Sequence, residues 1–270
     1  MGPGSLLECL QQLDVPLQSI RPDKGQAVPK DASDFSGVVF LGSEHSVLDP
    51  VHWVRAELSL CKESLAQEVP VLGLGYGAQL LTMAAGGAVA PIHSPSYGWT
   101  PSWLTPQARD WFDAPLRLEI FNAHAHSIAL PAGAECLLVD RRCQNKGFAL
   151  GPNFAFLCPL ELTPVSLAGW CARKGTNLAL AQGPDVQNRI AMQRALAERM
   201  GNLNTLASRI FTRWAKQLPG APRPVDARLA GGEPAEAEDL CRGLQPRGRE
   251  IVEAGRSCQR RFRIDIASRP

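Results

Sequence analysis

The feature that most constrains the fold is a buried strand that runs directly into a glycine-rich turn and then into a helix. The sequence of residues 70–81 is Pro-Val-Leu-Gly-Leu-Gly-Tyr-Gly-Ala-Gln-Leu-Leu. The apolar run before the turn is typical of a parallel strand covered on both faces, and the residues after it favour a helix. Such a turn holds one residue at the carboxyl edge of a sheet, beside helix N–H groups that stabilise an anion. The segment therefore predicts an α/β fold with a functional site at that edge.

Strand-like and helix-like segments alternate along most of the chain. Short apolar runs predict strands over 37–42, 69–73, 116–121, 135–139, 147–150 and 154–157. Helical spacing predicts helices over 49–68, 77–85, 163–173 and 186–216, the last one interrupted near Gly201. This alternation favours an open, mostly parallel sheet with helices on both faces.

The last 53 residues, 218–270, differ in composition from the rest of the chain. They contain six prolines, six glycines and a single aromatic residue, Phe262. So few apolar side chains cannot offset the entropy lost on ordering. We therefore predict one α/β domain over residues 1–217, followed by a mostly disordered tail. The arginine-rich end of the tail, 256–263, is interpreted as solvated, with contact to an acidic partner or RNA as the alternative.

Composition and cysteine spacing argue against several classes of protein. The formal net charge is only +2, which makes nucleic-acid binding an unfavoured function. No apolar run approaches the roughly 20 residues that span a bilayer, and the first residues do not resemble a signal peptide. The eight cysteines form no C-x-x-C pair, so we expect no metal site, no cofactor and no disulfide framework. This cysteine usage suits a reduced, cytoplasmic protein.

Two kinds of site use a glycine turn of this shape. Gly73, Gly75 and Ala78 satisfy the G-x-G-x-x-[GA] motif of dinucleotide sites, but that motif needs an acidic residue about 20 positions later. Residues 88–109 contain none. The other kind is a nucleophile elbow, in which the turn carries Cys or Ser. Here the residue at that position is Gly75.

Further segments decide between these two interpretations. They are Arg-Pro-Asp-Lys-Gly (21–25), Phe-Ser-Gly-Val-Val-Phe-Leu-Gly (35–42), Tyr-Gly-Trp (97–99), Asn-Ala-His-Ala-His-Ser (122–127) and Ala-Phe-Leu-Cys-Pro-Leu-Glu-Leu-Thr-Pro (155–164). In order and spacing, these segments and the elbow resemble the class I glutamine amidotransferases, above all proteins similar to the glutaminase domain of GMP synthase. The resemblance covers residues 2–217 and implies a flavodoxin-like fold.

The resemblance also implies which residues occupy the catalytic positions. In that family an elbow cysteine attacks the glutamine amide, a histidine in an H-x-E motif acts as base, and the glutamate orients the histidine. Gly75 stands at the cysteine position, Pro159 at the histidine position and Glu161 at the glutamate position. Neither glycine nor proline can perform these steps, and removing a nucleophile alone costs about six orders of magnitude in rate. We predict a degenerate triad.

The predicted function is therefore that of a pseudoenzyme, a catalytically inactive amidotransferase-like protein that acts as a binding or regulatory scaffold. The alternative is an active glutamine amidotransferase or hydrolase of the GMP synthase-like family with a repurposed pocket. The expected partners are a synthetase or other protein subunit and a glutamine-like small molecule, with no membrane.

The resemblance names five further pocket candidates. Gly42 and Ser43 stand where the family has its oxyanion turn, Gly77 and Gln79 open the elbow helix, and His124 matches a residue near the family's pocket. The alternative for His124 is a hydrogen-bonded structural histidine. The thiol of Cys158 lies next to the vacant base position, but we expect a small buried hydrophobe there.

One expected strand is missing from the sequence. Residues 1–6, Met-Gly-Pro-Gly-Ser-Leu, resemble a segment that in the family follows a central strand of the sheet. Without that strand, two neighbouring strands would have unpaired backbone groups. We therefore expect that the start of the chain has been set too far downstream.

Overall fold

The structure is a computed structural model that describes residues 2–173 and 183–219, together with the strand Arg261–Asp265. In these parts of the chain the helices are α1 (Gly4–Gln12), α2 (His52–Ala66), α3 (Tyr76–Ala84), α4 (Pro106–Phe112), α5 (Pro164–Arg173), α6 (Arg189–Gln193) and α7 (Leu196–Ala215). The strands are β1 (Gln18–Ile20), β2 (Phe35–Phe40), β3 (Val71–Leu74), β4 (Ala88–Leu104), β5 (Arg117–Ala129), β6 (Glu135–Asp140), β7 (Gly147–Leu150), β8 (Asn153–Phe156) and β9 (Arg261–Asp265).

All nine described strands belong to one sheet, in the order β1-β9-β2-β3-β8-β7-β6-β4-β5. The pairings from β1 to β8 are parallel, and those from β8 to β5 are antiparallel. The predicted flavodoxin-like α/β fold is confirmed, but the sheet is mixed rather than mostly parallel. The reason is connection length: two residues join β7 to β8, and so short a link can only make a hairpin.

The parallel half is buried on both faces because its strands are continuous apolar runs. Every residue of β2, β3 and β8 is buried. Successive side chains of β2 point to opposite faces, so Val39 joins the cluster that includes α1 and α7, whereas Val38 and Phe40 join the cluster that includes α2 and α3. Helices thus cover both faces of the strands that carry the elbow.

Several predicted elements need correction. The interruption near Gly201 is wrong, because α7 runs through that residue and the break lies at Ala195, which has a φ of 50°. The predicted strand over 116–121 extends to Ala129. The sequence analysis also missed α1, β1, α4 and the 17-residue strand β4.

Within the predicted tail, 218–270, the structure describes one strand, Arg261–Asp265. These residues form β9, which pairs in parallel with β1 on one side and β2 on the other. β9 therefore lies inside the sheet, between β1 and β2. Composition could not indicate this, since the backbone groups of two neighbouring strands provide the partners. One compact unit comprises residues 1–221 and 260–270. The rest of the predicted tail, beyond residue 219, lies outside the described residues.

None of the helices in the described ranges combines the length and the apolar character needed to cross a membrane.

Candidate functional site

The connection between β3 and α3 has the backbone geometry of an elbow. Gly75 adopts φ 59° and ψ −112°, a conformation that residues with a side chain rarely adopt. Its N–H donates to the Phe156 carbonyl at 2.8 Å, which ties the turn to β8. A Cβ placed on Gly75 would lie 3.3 Å from the Gly42 Cα. The elbow thus points position 75 towards the loop that follows β2.

Gly77 allows the elbow helix to lie close to the sheet. A Cβ on this residue would overlap the Phe40 carbonyl. Because there is no side chain, the first turn of α3 packs directly on the carboxyl end of β2. Gly77 is therefore a packing residue, and it is not among the residues that line the cavity described next.

A cavity of about 110 Å³ lies at the carboxyl edge of the parallel strands. Six predicted site residues line it: Gly42, Ser43, Gly75, Gln79, His124 and Pro159. Residues that the sequence analysis did not select complete the lining: Glu44, His45, Ser46, Tyr76, Tyr97, Ala123, Ala125, His126, Leu157, Trp170 and Arg173. The fold therefore brings most of the predicted site together, but Gly77 and Glu161 lie outside the lining.

Glu161 is a buried carboxyl group behind the cavity wall. Its side chain is 1% exposed, and neither carboxyl oxygen has a hydrogen-bond partner among the described residues. Its Oε1 lies 3.8 Å from the position a Cβ on Gly42 would take, so the group is close to the elbow. Burial raises the pKa of Glu161 to about 7. The carboxyl group thus lies close to the elbow, and no imidazole in the described part of the chain is hydrogen-bonded to it.

His124 is held in one tautomer by its neighbour on β5. Its Nδ1 lies 3.0 Å from the His126 carbonyl oxygen, which can only accept a hydrogen bond, so Nδ1 carries the proton. The pKa of His124 is lowered to about 4, first by burial and second by the charge of Lys146. At neutral pH its Nε2 is therefore a hydrogen-bond acceptor. Nε2 is buried and has no partner in the described part of the chain.

Gln79 fixes the loop after β2 against the elbow helix. Its Oε1 accepts from the Ser46 hydroxyl at 2.9 Å and from the Val47 N–H at 3.2 Å. Because both bonds use the oxygen, they leave the two N–H donors of the amide nitrogen available. Gln79 is one of the cavity-lining residues.

The cavity-lining residues that the structure describes include no cysteine. Cys158 is fully buried in the hydrophobic core, and burial raises the pKa of its thiol to about 12. A thiol in that state is neither exposed nor ionised at neutral pH. The expectation that Cys158 is a small buried hydrophobe is confirmed.

The chain is similar in sequence and in fold to known proteins. The sequence profile of the Peptidase C26 family matches residues 40–100. The GMP synthase [glutamine-hydrolyzing] of Porphyromonas gingivalis is 34% identical over 126 residues, which are 46% of this chain and 24% of that enzyme. The crystal structure of a glutamine amidotransferase from Methylobacillus flagellatus is 31% identical, with a TM-score of 0.77 over 81% of this chain and 91% of that one. This chain belongs to the class I glutamine amidotransferase-like family.

Two further comparisons limit what family membership implies. A glutamine amidotransferase structure from Thermotoga maritima has a TM-score of 0.68 at 20% identity, which is a likeness of fold. The match to the GMP synthases spans only about a quarter of their length.

The sequence analysis missed several residues of this amidotransferase-like pocket. His45 lies on the loop after β2; its Nδ1 is 3.0 Å from an Asp49 carboxyl oxygen, and its ring packs edge-on against Trp53 at 5.3 Å. The sequence could have indicated His45, because ligands of open α/β sheets bind beyond the carboxyl ends of the strands and His45 follows a predicted strand. Tyr97 and Trp170 pack edge to face at 5.5 Å, but they come from β4 and α5. No sequence spacing indicates that these two rings meet.

The pocket is suited to hydrogen-bond recognition. It combines a buried acceptor on His124, a donor on Gln79, two packed rings and the guanidinium of Arg173 at the end of α5. Within the described ranges, no group of three His, Cys, Asp or Glu side chains could hold a metal ion.

Proposed function

We propose that this protein is a non-catalytic glutamine amidotransferase-like protein whose pocket binds a glutamine-like small molecule, and that it acts as a binding or regulatory scaffold. One observation carries the proposal: the residue at the elbow, with φ 59° and facing the pocket, is Gly75. A glycine has no atom that can attack an amide. Pro159, in the same lining, has no group that can accept a proton. The pocket thus lacks both the nucleophile and the base that thioester formation requires.

The remaining polar groups support recognition of a primary amide. An amide N–H can donate to the buried Nε2 of His124, which is otherwise unsatisfied. The amide oxygen can accept from the amide nitrogen of Gln79. An α-carboxylate would be attracted to Arg173. The side-chain amide and the α-carboxylate of glutamine thus each have a complementary group around the cavity.

The test is a pair of measurements on the purified protein. Isothermal titration calorimetry with L-glutamine should give saturable binding, and an ammonia assay on the same sample should give no release above that of buffer. His124→Phe should weaken the binding, whereas His93→Phe, the same change at an exposed residue outside the cavity, should not. Ammonia release above background that survives Cys158→Ala would overturn the proposal.

A second candidate function is hydrolysis by a repurposed pocket, and one observation favours it. His45 lines the cavity with its ring held by Asp49, the arrangement of a general base and its orienting carboxylate. Such a pair could activate water without a cysteine. Under this alternative, ammonia release would be present in the native protein, persist in Cys158→Ala and disappear in His45→Phe.

We further propose a protein partner, a synthetase subunit. Support comes from the matched relative, whose name is GMP synthase and most of whose length lies outside the match. Free thiols at the six described cysteines fit a cytoplasmic location. Co-expression with a GMP synthetase subunit from the same source, followed by light scattering of the purified mixture, tests the partner; separate elution of the two chains would exclude it.

A further inference from the structure

We propose that the sheet contains a strand-binding slot between β1 and β2, and that the chain's own C-terminal strand β9 is its occupant. We propose further that this occupancy supports the wall of the candidate pocket. The proposal goes beyond ligand binding, because it assigns a role to a segment that composition assigned to a mostly disordered tail.

The slot is defined by its backbone register on both sides. Arg263 is the Cα partner of Gln18 on β1 and of Val38 on β2. Asp265 is the partner of Ile20 and of Phe40 in the same way. All of these pairings are parallel, so β9 runs in the same direction as both of its neighbours.

β1 depends on this occupant more than any other strand does. β9 is its only sheet neighbour among the described strands. β2, by contrast, also pairs with β3. Without β9, Gln18–Ile20 would lose all of their ladder bonds, and β2 would lose the bonds on one side. A backbone group that is buried and left unpaired destabilises the fold, and every residue of β2 is buried.

The chain leaves the domain next to the slot. Leu218 is 3% exposed, and a Cβ on Gly37 of β2 would overlap its side chain. Residues 219–260 connect Leu218 to Arg261. A connection of 42 residues can extend over 100 Å, so its length places no limit on docking. Tethering also gives β9 a high effective concentration at the slot relative to a strand from another molecule.

When β9 occupies the slot, it holds the end of β2, and the wall of the pocket begins there. Phe40, the last residue of β2, pairs with Asp265. The chain then passes within two residues into Gly42, which lines the cavity. At its far end this loop is held by the hydrogen bond from Ser46 to Gln79. The wall at 42–46 is thus anchored at two points, and one of them is the strand next to β9.

The experiment is hydrogen exchange with mass spectrometry on the full chain. In the native protein the amides of 18–20 should exchange at least tenfold more slowly than in an unstructured peptide of the same sequence. Arg263→Pro removes a backbone donor from the middle of β9 and should abolish that protection while speeding exchange at 41–47. Ala237→Pro, in the connecting segment, is the matched control and should leave both regions unchanged.

A synthetic peptide of residues 258–270 added to the Arg263→Pro variant should restore the protection at 18–20. If the variant itself fails to fold, exchange of the native chain still tests the slot. Exchange of 18–20 at the unstructured rate in the native chain would overturn the proposal, as would protection that survives Arg263→Pro. Protection that disappears on dilution, together with a dimer by light scattering, would contradict occupancy by the same molecule.

Unchanged exchange at 41–47 in a variant that has lost protection at 18–20 would contradict the support of the pocket wall. These readouts need no ligand. The exchange data can therefore contradict the slot proposal while glutamine binding is observed, and the reverse also holds.

Discussion

Two walls of the same cavity differ in the chemistry they offer. The elbow wall, formed by Gly42, Gly75 and Pro159, has no side chain that can attack, donate or accept a proton. The aromatic wall, formed by Tyr97, His124 and Trp170, carries two packed rings and a buried imidazole acceptor. A pocket can thus have the geometry of a catalytic site on one side and the groups of a recognition site on the other. The difference teaches that a pocket can have its shape and its hydrogen-bonding groups without a nucleophile or a base at the elbow.

The largest expected effect comes from introducing a nucleophile and a base into the elbow wall. In Gly75→Cys with Pro159→His, the introduced thiol occupies the elbow and the introduced imidazole comes near Glu161, which lacks a partner. We expect ammonia release from glutamine to rise about 10³-fold or more over the native protein, since a nucleophile and its base together account for about six orders of magnitude. A coupled glutamate dehydrogenase assay measures it.

Two controls accompany this experiment. Gly75→Ala with Pro159→His places a side chain at the elbow without a thiol and should remain inactive. A side chain at φ 59° costs about 1–3 kcal/mol, so urea denaturation of both variants should show the same loss of stability. If the double variant folds and binds glutamine yet releases no ammonia, the elbow wall is not the former catalytic surface.

The next largest effect concerns the carboxyl group behind the elbow wall. The pKa of Glu161 is raised to about 7 in the folded protein, against an ordinary value of 4.5. Between these values the folded state holds a proton that the unfolded state has lost, so stability falls as pH rises from about 4.5 to about 7. Above pH 7 the folded protein carries a penalty of about 3 kcal/mol.

Glu161→Gln removes this penalty with little change of shape. We expect the variant to exceed the native protein in free energy of unfolding by up to about 3 kcal/mol at pH 8, with a difference near zero at pH 4. Urea titrations at several pH values measure it, and Glu8→Gln, at an exposed site, serves as control. A constant difference across pH would mean that Glu161 is not a buried, unpartnered acid.

A smaller effect tests the aromatic wall. His124→Phe keeps a ring in place but removes the acceptor, so a bound amide would lose one hydrogen bond. The expected loss of glutamine affinity is about tenfold, equivalent to about 1.4 kcal/mol. Titration calorimetry measures it. An unchanged affinity would show that the aromatic wall takes no part in recognition.

The smallest effect is expected at Cys158. Because its thiol is buried in the core, Cys158→Ala should lower the free energy of unfolding by about 1 kcal/mol and leave glutamine affinity unchanged. Thermal unfolding and calorimetry on the same sample check both statements. A change in affinity without a change in stability would indicate a role in the pocket.

The sequence predicted the elbow wall much better than the aromatic wall, for a physical reason. A buried strand followed by a glycine turn is a local pattern, so 70–81 predicts the position of Gly75 directly. The strand β4, which carries Tyr97, contains Pro91, Pro95 and Pro101, and prolines argue against a strand. The pairing register is irregular between Pro91 and Ser96, where Pro95 lies, whereas Pro101 lies in the regular part of the pairing, opposite Glu119.

The contacts that complete the pocket depend on tertiary structure and were not visible in the sequence. Trp170 meets Tyr97 only because α5 packs beside β4, and β9 joins β1 and β2 across more than 200 residues of chain. Residues 261–265, Arg-Phe-Arg-Ile-Asp, alternate polar and apolar side chains as a strand does, but the composition of the whole tail concealed this short segment. Its place in the sheet depends on the backbone groups it meets.

The central claim is that the pocket binds glutamine without hydrolysing it. The most direct test is a nitrogen NMR titration with glutamine labelled with ¹⁵N at the side-chain amide, because one spectrum reports both events. Our account predicts that the amide signal broadens or shifts as protein is added, saturably, while no labelled ammonium appears over hours. Ammonium that accumulates beyond one equivalent of protein would contradict the account, and so would an amide signal that never changes.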